Sequence, residues 1–68
     1  MSMEGVVLED ILGRMAILRE GDSKAELTYT LKAEAEFVEK LGADLDAKGY
    51  KLEYVGNSTY KIYPYRYF

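Results

Sequence analysis

The sequence predicts a small α+β domain in which three helices are followed by a C-terminal β-hairpin. Three observations carry that expectation. Apolar residues recur every three or four positions in two long stretches, a Ser-x-x-Glu capping pair stands between them, and an apolar–polar alternation takes over after Gly49. A chain of 68 residues suffices for one core, because a domain this small buries only about 60% of the surface its unfolded chain exposes. Residues 1–68 are therefore read as a single domain.

The first helix is expected over Val7 to Leu18, where Leu8, Ile11, Leu12, Met15 and Leu18 fall on one stripe. Gly13 weakens it by up to ~1 kcal/mol relative to alanine, and Gly21 is placed to end it in left-handed geometry. The segment Gly21 to Leu31 reads in two ways. Ser23-Lys24-Ala25-Glu26 is a capping box, in which serine and glutamate each satisfy a free backbone N–H of a short helix. Against that, Ala25, Leu27, Tyr29 and Leu31 alternate with Glu26, Thr28 and Thr30, as in a strand. The helical reading is preferred. The extended one implies a different fold: a hairpin over Met15 to Leu31, one helix and a second hairpin, with a four-stranded antiparallel sheet.

Ala33 to Lys48 is the strongest helical signal, with Phe37, Val38, Leu41 and Leu45 on one stripe, Lys48 in the last turn and Gly49 as the stop. Beyond it, Tyr50, Leu52 and Tyr54 share one face of a strand, Gly56-Asn57-Ser58 supplies a turn, and Tyr60 and Ile62 open a second strand. Pro64 cannot donate to a ladder, so that strand should end near it or lie at an edge.

Composition narrows the chemistry. There is no cysteine and no histidine, which removes disulfides, thiolate metal sites and the commonest general base. Carboxylates two apart, such as Glu34 with Glu36 or Asp44 with Asp46, point about 200° apart on a helix and do not converge on one atom. Ser23 has no base to activate it. The glycines show no phosphate-loop spacing. The reading is of a non-catalytic protein without cofactor or metal, and, with no apolar run near the roughly 20 residues of a membrane span and no signal peptide, of a cytoplasmic one.

The net charge is −3, yet it is unevenly spread. Residues 50–68 carry Lys51, Lys61 and Arg66 against Glu53 alone, together with six of the seven tyrosines. A tail reading Tyr63-Pro64-Tyr65-Arg66-Tyr67-Phe68 holds more apolar surface than a monomer this small readily covers, so Tyr63, Tyr65, Tyr67 and Phe68 are the candidate homodimer face.

Several stretches carry a family resemblance: Met15-Ala16-Ile17-Leu18-Arg19-Glu20-Gly21, then Ala25, Leu27 and Tyr29 at alternate positions, then Leu45 ahead of Lys48-Gly49-Tyr50, then Tyr60-Lys61-Ile62. From about Leu8 to Ile62 the chain resembles the small archaeal winged helix-turn-helix transcriptional regulators. The resemblance implies a third helix used for recognition, a hairpin wing, and sequence-specific binding of double-stranded DNA, often as a dimer. The chain departs from the pattern at Gly42 and Asp44, where apolar residues are usual, and in the five acids set against two lysines over Ala33 to Lys48. If DNA is the ligand, the hairpin and tail are the expected contact, with Lys51, Lys61 and Arg66 on phosphates and Lys32 and Lys40 adding to them. The alternative expectation is a protein–protein interaction module that binds no nucleic acid.

Overall fold

The computed structural model describes residues 3–65 of the chain. It is an α+β arrangement of two helices and a three-stranded antiparallel sheet, with α1 (Met3–Gly21), β1 (Leu27–Thr30), α2 (Ala35–Ala47), β2 (Tyr50–Gly56) and β3 (Thr59–Pro64) in chain order. The strands lie in the order β1-β3-β2, so the last strand to be made is the middle one.

α1 starts a turn earlier than the apolar stripe suggests and runs to Gly21, which closes it without the left-handed backbone expected there. The preferred helix between Gly21 and Leu31 is not formed. Asp22, not Ser23, organises the chain: its carboxylate accepts the Lys24 N–H at 3.0 Å and its carbonyl accepts the Ala25 N–H at 3.0 Å, which makes a tight turn. The alternation that follows then decides the outcome. Leu27 stands opposite Ile62 and Tyr29 opposite Tyr60, so an extended backbone places both on the core face of the sheet. The four-stranded alternative fails too, because Met15 lies inside α1 and no strand precedes β1 among the described residues.

β2 and β3 form the expected hairpin, with Leu52 opposite Ile62 and Tyr50 opposite Pro64. Its turn is Asn57-Ser58 with φ of 52° and 56°, following Gly56 at 101°. Two successive left-handed residues match the twist of the flanking strands. A register shift between Tyr54 and Gly56 leaves Val55 as a bulge. β3 ends at Pro64, as expected, yet it is flanked on both sides over most of its length.

The core lies between the helices and one face of the sheet. Ile11 and Met15 of α1, Leu41 and Leu45 of α2, and Ile62 of β3 are fully buried, with Val7, Tyr50 and Tyr60 around them. Gly42 faces the sheet with room for a side chain, since a Cβ added there would meet Leu52 Cδ2 at 3.8 Å, an ordinary van der Waals contact. Side-chain hydrogen bonds also tie α1 to the rest. Arg19 donates to the Tyr50 hydroxyl and to the Ser23 carbonyl, both at 3.1 Å, while Tyr29 donates to Asp10 at 2.8 Å.

Candidate interaction surface

In β3 the buried residues Tyr60, Ile62 and Pro64 alternate with Thr59, Lys61 and Tyr63, which face away from the helices. The register adds Thr28, Thr30, Lys51 and Glu53 to the same outer face. The fold thus brings Lys51, Lys61 and Tyr63 together on one surface. Each lysine already has a carboxylate beside it. Lys51 Nζ lies 3.4 Å from Asp46, and Lys61 Nζ lies 3.7 Å from Glu26 while its residue is paired with Glu53. These are exposed pairs and contribute little to stability, but each sets a negative charge beside the positive one that a phosphate backbone would meet.

Tyr65 is engaged within the chain. Its hydroxyl donates to the Asp46 carbonyl at 2.7 Å, its N–H donates to the Gly49 carbonyl at 3.1 Å, and Lys51 Nζ sits 5.0 Å above its ring. Arg66, Tyr67 and Phe68, named above for phosphate contact and for the dimer face, lie outside the described residues.

Lys32 and Lys40 are exposed but stand apart from the outer face. Lys32 is on the Leu31–Glu34 segment that joins β1 to α2, between two hollows. One, of about 340 Å³, is lined by Tyr54, Ser58 and Tyr60; the other, of about 350 Å³, is the more apolar and is lined by Met3, Val7, Leu31 and Phe37. Lys40 lies on α2 near an acidic contact between the helices. There Asp44 approaches Glu4 of α1, and a proton shared between the two carboxyls, helped by desolvation, raises the Glu4 pKa above its ordinary 4.5. Glu4 Oε1 is a buried atom that no hydrogen-bond donor reaches. Asp10 shows the opposite shift. Hydrogen bonds from Tyr29 and then Arg14 lower its pKa below 3.8, and burial followed by the Asp10 contact raises that of Tyr29.

The outward surface of α2 holds three of the five acids counted over Ala33 to Lys48. Glu36, Glu39 and Asp46 are exposed there beside Ala35, Ala43 and Ala47, all within an arc of roughly 120°. Short alanines leave the carboxylates as the tallest groups of that face. No group of three or more carboxylates suited to a metal ion occurs among the described residues, and no helix among them is long and apolar enough to cross a membrane. Comparison with protein families, with curated proteins and with solved structures finds no match to this chain.

Proposed function

We propose that this chain is a non-catalytic protein-interaction module. The observation that carries the reading is the charge placement around the surfaces that would have to meet a duplex. The outward face of α2 is acidic, with Glu36 and Glu39 exposed on it, and the two lysines gathered on the sheet are matched by Asp46 and Glu26. Duplex DNA carries about one negative charge per 1.7 Å of axis, so a helix of that sign is repelled from its grooves.

A winged-helix transcriptional regulator that binds double-stranded DNA is the second reading. What favours it is chain order: helix, strand, helix and hairpin, with the first strand docked on the last, is compatible with a winged helix-turn-helix in which Leu31–Glu34 replaces the middle helix. One experiment separates the two. A labelled duplex is titrated with the protein in about 50 mM and about 200 mM salt. The interaction reading expects no binding at either. Binding that weakens steeply with salt, and that disappears in a folded Lys51→Glu, Lys61→Glu double variant, would replace it with the regulator.

A further inference from the structure

The hollow beside the hairpin turn differs in chemistry from its neighbour. It is lined by Leu31, Lys32, Ala33, Tyr54, Ser58 and Tyr60, measures about 340 Å³, and has no carboxylate in its wall, although acidic residues outnumber basic ones in the chain by 12 to 9. That volume lies at the lower end of the range of small-molecule sites. Lys32 supplies its one charge. Arg14, Lys51 and Lys61 are each paired with a carboxylate, at 3.1, 3.4 and 3.7 Å, whereas Lys32 has no such partner among the described residues. The nearest acid in sequence, Glu34, lines the other hollow.

The rest of the wall is tied together and aromatic. The Leu31 N–H donates to the Ser58 carbonyl at 2.7 Å, which pins the hairpin turn to the segment that carries Lys32. The Ser58 N–H donates to the Tyr54 hydroxyl at 3.4 Å, and the Tyr54 ring leans on that of Tyr60, with centroids 5.2 Å apart and planes tilted by 58°. Tyr54 is thus held by two contacts and is still 61% exposed, a ring presented to solvent at the edge of the hollow. Because its oxygen accepts from Ser58, its own proton is left to donate. Both backbone groups of Ser58 are satisfied, and no bond to its side-chain hydroxyl occurs among the described residues.

We propose that this hollow binds a small aromatic carboxylate. The proposal goes beyond the module reading and does not depend on it. Lys32 sets the sign and the amount of charge: one ammonium with hydroxyl donors beside it suits a monoanion, and a dianion would keep one charge uncompensated. The exposed ring of Tyr54 sets the rest, since a planar group laid against it gains the attraction of an offset or edge-to-face aromatic pair. A cation of the same shape would meet Lys32 with like charge. The neighbouring hollow, with Met3, Val7 and Phe37 in its wall and Glu34 beside Lys32, offers no such selection.

The probe is indole-3-acetate, titrated into the full chain and followed by the backbone amide shifts, with indole-3-acetamide as its neutral counterpart. Saturable shifts are expected at Lys32, Ala33 and Ser58, with a dissociation constant on the order of 1 mM. The acetamide should bind about tenfold more weakly, because the charged hydrogen bond is lost. Lys32→Gln should bring the acetate down to the level of the acetamide and leave the acetamide unchanged. Tyr54→Ala should weaken both probes about three- to tenfold, with the circular dichroism of the chain unchanged. No saturable shift up to about 10 mM, equal affinity of the unmodified chain for the two probes, or shifts centred on Met3, Val7 and Phe37 would each overturn the proposal. None of these results bears on the module reading, which the duplex titration tests on its own.

Discussion

The two helices solve the same packing problem to different degrees. α2 leaves none of its large apolar side chains exposed: Leu41 and Leu45 are buried, and Phe37 and Val38 are half-covered. α1 buries Val7, Ile11 and Met15 but exposes Met3, Val6, Ile17 and Leu18. Glu36, Glu39 and Asp46 lie opposite the apolar stripe of α2, so its outer surface is complete as it stands in water. The outer surface of α1 is not. The difference teaches that burial within one chain accounts for α2 fully and for only one side of α1.

The largest test of that contrast compares two isoleucines of α1. Ile11→Ala removes a fully buried side chain and should cost about 2–5 kcal/mol, enough to unfold much of a domain this small. Ile17→Ala, six residues on, should change the denaturation midpoint of the dilute protein by no more than about 0.5 kcal/mol. Comparable losses from both in urea titrations would mean that the two faces of α1 are not distinct. An intermediate effect is expected for Tyr29→Phe, which breaks the bond from β1 to Asp10. It is partly exposed, so the loss should be about 0.5–1.5 kcal/mol.

The smallest effects are in pH dependence, and they differ in sign between the two carboxyls of α1. The raised pKa of Glu4 means that its contribution to stability is present below 4.5 and lost as pH rises through its folded value. The lowered pKa of Asp10 gives a contribution present above 3.8 and lost as pH falls through its folded value. Glu4→Gln should therefore reduce the acid-side gain in thermal midpoint, and Asp10→Asn should reduce the acid-side loss. Identical slopes in the two variants would show that neither contact is coupled to folding.

The elements with a long, regular pattern were legible in the sequence. Phe37 to Leu45 and the Tyr50 to Ile62 alternation fixed α2 and the hairpin because one periodicity dominates each. Residues 21–31 were misread because two local signals compete there, and the winner depends on a strand more than 30 residues away. Ser23 and Glu26 resemble a helix cap, but Leu27 and Tyr29 find Ile62 and Tyr60 only when extended. The lysines Lys51 and Lys61 were correctly grouped on the hairpin. Their neutralisation by Asp46 and Glu26 was not foreseeable, since those acids arrive from other elements. The exposure of Val6 and Ile17 is not legible either: Val6 precedes the helix read over Val7 to Leu18, and no local signal tells whether another element covers Ile17.

Placing β3 between β1 and β2 has a consequence for how the protein is made. During synthesis the first strand emerges with nothing to pair against, and its apolar positions wait until Thr59–Pro64 leave the ribosome. Neither outer strand has a partner until β3 arrives, so a chain stopped at residue 58 should lose all its cross-strand order at once.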